Sequence, residues 1–539
     1  MFVLAVLIGI YTYCLFFLGI LGIITPGTVI AVTIMFLPVI LFWKRNLLEI
    51  PRISYKRPNK FVLLFAVLFF LQASINIIGA LGPELGYDAL WYHLTLPKIW
   101  LINHKISFIS GGLLYYSVMP KLAEMLFVAG LSFGNIITVK LLHFSFGILS
   151  CFALYKLQRK FFSPFISLLG VVIFYSNLVV AWESSSAYID LIRAFFEIMT
   201  LWGFINWWQT QQKKWLVISA VMVGLTITTK LLAIGSLFIF SLLIIYYFFR
   251  YKKRFIDLFT QLFVYWFVAF LIPLPWFIFS FLYTGNPVYP FFTAIYQVAP
   301  EPLNIINFFQ EVWKLLIASS DPISPIYLII LPLIIANYLK FKTEIKLVIL
   351  YSALTIVIWY FTPRTGGGRF MLPYLPALSF VGAAVIDTLL KSKEKYTAYL
   401  AKFLVIIIIF LSLFTIAYRF AANMKYFPVI FDKETKAQFL ANHLNFSYGD
   451  FYDTDGYFKQ TIKQTDKILL YGFHNLSYVD FPFVDSSWIK KGDSFNYVAT
   501  QNTILPERFS KWTLIYQNKK TMVKLYKPPV ALCPNTCQF

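Results

Sequence analysis

FVLLFAVLFFLQASINIIGAL (residues 61–81) runs straight into GPELGYDALWYHLTLPKIWL (82–101). The first stretch is an unbroken apolar run, long enough to cross about 30 Å of hydrocarbon as a helix. The second breaks it with Gly82-Pro83 and packs Glu84, Asp88, His93 and Lys98 among Leu90, Trp91, Leu94, Leu96, Ile99 and Trp100. It reads as an amphipathic segment lying at the membrane surface, where Trp and Tyr are at home. Working outward, apolar runs recur at 2–24, 27–43, 138–157, 164–182, 190–208, 215–231, 232–249, 257–282, 322–339, 346–362, 370–390 and 399–418. With 61–81 they predict an all-α polytopic membrane protein of about thirteen transmembrane helices. The composition agrees: of 539 residues, 59% are hydrophobic and 13% charged, against about 25% charged in a soluble domain. A soluble enzyme, a disordered chain and a disulfide scaffold are excluded.

Charge then assigns the sides. Lys and Arg number 46 against 24 Asp and Glu, a net +22. The basic residues cluster in short loops: Lys44–Lys60, Lys156–Lys160, Lys213-Lys214, Arg250–Arg254, Lys340–Lys346 and Lys391–Lys395. A strict zigzag of the spans puts every cluster on one side, which the positive-inside rule makes the cytoplasm. No nucleic-acid partner is needed to explain the excess. The apolar N-terminus lacks a basic start and a small-residue cleavage site, so it reads as a retained helix. The other side receives a long first loop, about 82–137, shorter loops near 182–190, 283–321 and 363–369, and everything after about 419. The division expected is a transmembrane domain, 1–418, and a small extracytoplasmic α/β domain, 419–539. In the latter, Lys467–Tyr471, Trp512–Tyr516 and Met522–Tyr526 read as strands, the last two joined through Asn518–Lys520. Phe439–Leu444 and Gly456–Lys463 read as helical. Cys14 and Cys151 lie in apolar runs, where they pack. Cys533 and Cys537 lack the partners of a zinc site and suit a small disulfide if exported.

Four exported places carry residues with chemistry. Asp88, held beside apolar surface, is the first choice for a general base; the alternative is a helix cap. Asp88 and His93 stand about 140° apart on an α-helix, so a metal held by those two alone is weakly supported. Glu84 is four residues before Asp88, with Gly86 between them. WESSSAYIDL (182–191) supplies Glu183 and Asp190, or is a plain interfacial loop. Lys230, in TTKLLAIG, is a cation against the positive-inside trend; it invites an anion, or it snorkels. PRTGGGRFMLPYLP (363–376) sets Arg364 and Arg369 around three glycines. Arginines beside exposed N–H groups make a phosphate cradle, the alternative being a flexible loop. YTGNPVYPF (283–291) is turn-rich and shapes a cavity.

In their order and sidedness these motifs resemble the GT-C superfamily of integral-membrane glycosyltransferases. The likeness is to the branch of protein mannosyltransferases and lipid A aminoarabinose transferases, glycosyltransferase family 39-like. YDALWYHLTLPK resembles that family's first exported loop with its essential acid, and GLTITTKLLAIG and RFMLPYLPALSF resemble later segments. The resemblance covers about 60–420. It implies a hexosyl- or pentosyltransferase moving a sugar from a polyprenyl-phosphate donor to an acceptor protein, glycolipid or polysaccharide on the extracytoplasmic face, with inversion. The setting would be a bilayer, expected to be the bacterial plasma (inner) membrane. Asp88 would be the base, with Glu84 and His93 beside it, and Arg369, Arg364 and Lys230 would bind the donor phosphate. The family's mannosyltransferases and aminoarabinose transferases carry Asp-Glu side by side, whereas Ala89 follows Asp88. Glu84, Asp190 or Glu183 would then be the second acid, or a divalent metal would serve; no other cofactor is implied. The alternative function is a transporter or flippase of lipid-linked sugars, against which the chain has no paired halves. A third is a non-catalytic scaffold whose exported domain binds a partner.

Overall fold

The computed structural model describes residues 1–47, 59–296, 304–319, 321–362, 367–529 and 537–538. Arg364 and Cys533 lie outside the described residues. The first four hundred residues are helices: α1 (Phe2–Ile20), α2 (Pro26–Leu47), α3 (Lys60–Leu81), α4 (Thr95–Asn103), α5 (Leu122–Phe133), α6 (Ile136–Gln158), α7 (Pro164–Tyr175), α8 (Leu178–Glu183), α9 (Asp190–Thr210), α10 (Lys213–Thr229) and α11 (Ile234–Arg250). They continue with α12 (Phe255–Leu271), α13 (Leu274–Thr284), α14 (Ile305–Ile317), α15 (Ile326–Asn337), α16 (Thr343–Phe361), α17 (Leu375–Leu390) and α18 (Lys395–Asn423).

Local chemistry sets the boundaries. Asn59 caps α3 by accepting from the Phe61 N–H, and an Asn135–Thr138 capping box opens α6. Ser163 caps α7, with Pro164 at its first position. Proline at 83 ends any continuation of α3. The carbonyls left over there, Gly79, Gly82 and Pro83, are taken at 2.8, 2.7 and 3.2 Å by the Lys140 ammonium of α6. Pro273 separates α12 from α13, which meet at 62°.

All thirteen apolar stretches are helical, yet length and composition qualify seven described helices to cross a membrane, or eight when α12 and α13 count as one span. The others fall short for visible reasons. α7 stops after Tyr175, α10 has 17 residues, and α9 carries Asp190, Arg193 and Glu197 along its buried face. The protein is an integral membrane protein; thirteen crossings is more than helix length by itself supports.

Beyond α18 come three short helices, α19 (Phe427–Ile430), α20 (Lys436–His443) and α21 (Tyr457–Thr461), and seven strands. These are β1 (Ile468–Tyr471), β2 (Phe483–Asp485), β3 (Ser494–Phe495), β4 (Tyr497–Gln501), β5 (Thr513–Asn518), β6 (Val523–Lys527) and β7 (Cys537–Gln538). Five form one sheet in the order β2-β1-β4-β6-β5. β1 is parallel to β2 and β4, while β6 runs antiparallel to β4 and β5. β3 and β7 pair separately. The two-residue period of a strand divides β1: Ile468 and Leu470 pack with Phe451 and Phe458 on one face, Leu469 with Val498 and Phe509 on the other. At the β5–β6 turn the Asn518 side chain accepts the Lys520 and Thr521 N–H groups, a local bond that makes Asn a turn residue.

Asp485, at the end of β2, is 3% exposed and accepts the Ser487 N–H. Burial pushes its carboxyl up from 3.8 to about 6. A raised carboxyl stabilises the folded state while protonated, and the gain is lost as pH rises through the folded value. The gain cannot exceed roughly 3 kcal/mol. Between pH 4 and 7, amide-exchange protection of β1 should therefore decline more in the wild type than in Asp485→Asn. Parallel profiles in the two proteins would remove Asp485 as the cause.

Candidate active site

Asp88 stands at the head of a single π turn, Ala89–His93, in which the Leu94 N–H reaches back to the Ala89 carbonyl at 2.9 Å. Such turns recur at functional sites. On an α-helix Asp88 and His93 would have faced apart. The wider π ring brings residues five apart together, and both line one cavity of about 470 Å³. This corrects the expectation from α-helical spacing.

Arg369 comes to the same cavity from a 3₁₀ turn, Gly367–Phe370, ahead of α17. Its Nη1 lies 2.7 Å from Asp88 Oδ2 and its Nε 3.7 Å from Asp190 Oδ2. Gly368 serves the chain's own packing here, for a Cβ would come within 1.9 Å of the Asp321 carbonyl oxygen. Lys230 enters at the break between α10 and α11, where its extended backbone interrupts the helix. Its ammonium donates to Asp190 Oδ1 at 2.6 Å. Asp190 opens α9, whose N-terminal dipole favours a carboxylate.

Sequence reasoning missed a third pair. Lys121 lines the cavity and lies 2.9 Å from Glu124 Oε1, on the first turn of α5. His93 Nδ1 is 2.8 Å from the same oxygen. Burial would raise the Glu124 carboxyl, but Lys121 and His93 outweigh it and hold the group down at about 2. Burial lowers the His93 imidazole, against the raising effect of Glu124. The missed signal was Lys121 itself, a lysine ahead of an apolar run in the loop expected outside the cytoplasm, as unexpected there by the positive-inside rule as Lys230.

Aromatic rings flank the cations. The Lys121 ammonium is 5.0 Å from the Tyr92 ring centre, Lys230 4.9 Å from that of Phe370, and the Arg369 guanidinium 5.0 Å from that of Tyr188. Each is within cation–π reach. Tyr87, Trp91, Tyr115 and Tyr116 complete an apolar wall around a few charged groups, the make-up of a small-molecule site.

The remaining candidates lie elsewhere. Glu84 is buried and does not line the cavity. Its Oε1 accepts from the Leu85 and Gly86 N–H groups and the Ser186 hydroxyl, and its Oε2 from the Ala187 N–H. It ties the first loop to the 184–187 turn, so the structure gives it a binding role within the chain rather than a place beside substrate. Glu183 is fully buried, and neither of its carboxyl oxygens has a hydrogen-bond partner among the described residues. Among the described residues no three His, Cys, Asp or Glu side chains are grouped to hold a metal ion. The acids at the cavity are each matched to a cation instead.

With this geometry in place, the relatives can be read against it. Residues 122–279 match the family model described as dolichyl-phosphate-mannose-protein mannosyltransferase. That segment contains Glu124, Asp190 and Lys230 but neither Asp88 nor Arg369. No curated protein matches the chain by sequence. The apo crystal structure of ArnT from Cupriavidus metallidurans is similar, with a TM-score of 0.57 at 13% identity, covering 87% of this chain and 97% of that one. The same protein bound to undecaprenyl phosphate gives 0.55 at 12%, covering 86% and 97%. The likeness is one of fold, and it extends along almost the whole of the ArnT chain.

Replacing Glu124 by Gln leaves the Lys121 ammonium buried without its counter-ion. Breaking a buried pair from one side costs about 3–5 kcal/mol, so the purified protein should unfold at a clearly lower temperature. An unchanged midpoint would mean that Lys121 has another partner.

Proposed function

We propose that the chain is a glycosyltransferase that moves a sugar from a polyprenyl-phosphate donor to an acceptor hydroxyl on the extracytoplasmic face of the membrane, with inversion. The observation that carries this reading is the contact of Asp88 with Arg369 at 2.7 Å in a cavity that also receives Lys230. A base and two phosphate-binding cations within one aromatic-walled space is what displacement at a sugar–phosphate bond requires. The ArnT fold, solved with undecaprenyl phosphate bound to that protein, supports a lipid phosphate as the donor's anchor.

In the proposed reaction the donor phosphate enters between Arg369 and Lys230 and replaces their carboxylate partners. Asp88, released from Arg369, accepts the proton of the acceptor hydroxyl. The acceptor oxygen forms its bond to the anomeric carbon as the bond from that carbon to the phosphate oxygen breaks on the opposite side. The bonding electrons leave with the polyprenyl phosphate, whose charge Arg369 and Lys230 stabilise in a water-poor site. Asp190 holds Lys230 in place, and His93 lies beside Asp88 in the cavity wall. Arg364, five residues before Arg369, is the further candidate for the phosphate, and Glu183 is a reserve acid.

The proposed sidedness rests on the basic loops, whose assignment to the cytoplasm supports a first loop and a 419–539 domain on the opposite face. The setting proposed is a bacterial plasma membrane, with the prenyl chain between the helices of the 1–418 domain. The acceptor is a protein, a glycolipid or a cell-envelope polysaccharide, and the sugar a hexose or a pentose.

The test is transfer from a labelled polyprenyl-phosphate sugar by the reconstituted protein. Asp88→Asn should lower kcat by about 100-fold or more, the usual worth of a positioned base. Arg369→Ala should weaken donor binding by about tenfold or more, consistent with loss of a charge-assisted contact. Full transfer by a folded Asp88→Asn protein, or unchanged donor affinity in Arg369→Ala, would overturn these assignments. Addition of a chelator to the wild type decides whether a divalent metal takes part.

A further inference from the structure

We propose that the segment Phe473–Asp480 of the C-terminal domain is a clamp on the first loop, with Tyr478 as the residue that positions Asp88. This rests on the role of Asp88 given above.

The π turn leaves one carbonyl in need of a partner. Because the Leu94 N–H bonds to Ala89, the Leu90 carbonyl loses the partner an α-helix would have provided. A buried carbonyl without a partner is costly. Leu90 finds two others: the Thr95 hydroxyl at 2.8 Å and, from the C-terminal domain, the Ser477 N–H at 3.3 Å. The turn that brings Asp88 and His93 together thus draws one of its hydrogen bonds from a domain nearly four hundred residues away.

The neighbouring contacts have the same sense. The buried Tyr478 hydroxyl accepts the Glu84 N–H and donates to the Glu84 carbonyl, both at 3.0 Å, using its donor and one acceptor position on a single residue of the loop. The Lys98 ammonium donates to the Ser477 carbonyl (2.9 Å), the Val479 carbonyl (2.7 Å) and Asp480 Oδ1 (2.6 Å), which occupies all three of its protons. The His474 ring stacks on Tyr87, with ring centres 4.9 Å apart, and its Nε2 is 3.1 Å from the Tyr87 hydroxyl. The segment is itself anchored in its own domain, where the Asn475 side chain donates to Asp450 and the Asn475 N–H to the Gly449 carbonyl. The loop is therefore held at Glu84, Tyr87, Leu90 and Lys98, on both sides of Asp88. Arg369 and Lys230, which come from the helical domain, are not held by it. The clamp sets the position of the base and leaves the phosphate-binding cations alone.

The experiment uses the full-length protein in lipid nanodiscs. Tyr478→Phe keeps the ring and deletes both bonds to Glu84. Amide exchange across residues 84–95 should quicken by about tenfold, the worth of one or two neutral hydrogen bonds, while 195–208 in α9 is unchanged. In the transfer assay kcat should fall by about tenfold, as for a slightly misplaced catalytic group, with donor binding unaltered. Tyr452→Phe, on the ring that meets Tyr478 edge to face, should leave both readouts at wild-type values. Unchanged exchange at 84–95 would overturn the clamp. So would a loss of protection spread evenly over the protein, or a fall in donor affinity parallel to kcat. If Tyr478→Phe does not fold, Lys98→Gln tests the other anchor with the same expected and contrary results. The exchange readout needs no substrate, so a wild type that transfers no sugar would overturn the glycosyltransferase reading and leave the clamp standing or falling by itself.

Discussion

A charge buried in a protein that lies in a bilayer needs compensation, from an opposite charge or from hydrogen bonds. The cavity of this protein is built on that constraint. Asp88 faces Arg369, Asp190 faces Lys230, and Glu124 faces Lys121, at 2.7, 2.6 and 2.9 Å. The partners of the first two pairs come from four different elements, a π turn, a glycine-bounded turn, the start of α9 and a helix break, while Glu124 and Lys121 share the start of α5. The pairs therefore hold the helices in register as well as neutralising one another. A site composed this way is electrically balanced, so in the proposed reaction an anion enters by exchanging partners. That is the physical content of the proposed reaction: the incoming phosphate competes with the base for the same arginine, and its arrival frees the base.

What could be read beforehand was what depends on local composition. Apolar runs located the helices, because a single unbroken apolar stretch of about 20 residues can pair its own backbone groups in a bilayer only as a helix. Asp88, Arg369 and Lys230 stood out because each is an ionisable residue at an apolar boundary, and the structure brings all three to one cavity. The order of β5 and β6 around their Asn-containing turn was likewise legible. Whatever depends on distant partners was not. The π turn has no local signature, so Asp88 and His93 looked as if they faced apart. Glu84 looked like an acid in search of a role, and only its four donors, two next to it in the loop and two on the 184–187 turn, explain its burial. Strands β2 and β4 are short, and they are defined by the parallel neighbour between them, β1.

The helix count teaches a related lesson. Runs such as α7 and α10 are apolar enough to be noticed but too short to qualify alone. α9 is long enough but carries Asp190, Arg193 and Glu197 on a face that its neighbours cover. Arg193 donates to the Tyr374 hydroxyl and Glu197 accepts from the Ser236 hydroxyl, so both side chains find partners within the bundle. Helices that surround a polar site cannot be as apolar as helices that face lipid, and they are the ones a hydropathy criterion undercounts.

The exchange of partners at Arg369 is the centre of the account, and it can be measured without any turnover. A binding titration of a polyprenyl phosphate carrying no sugar would compare the wild type with Asp88→Asn, both shown to be folded. Since the substitution removes the carboxylate that competes for Arg369, the account predicts tighter binding to the variant. Equal or weaker binding would mean that the phosphate does not seat on Arg369 at the expense of Asp88, and would contradict the account at its base.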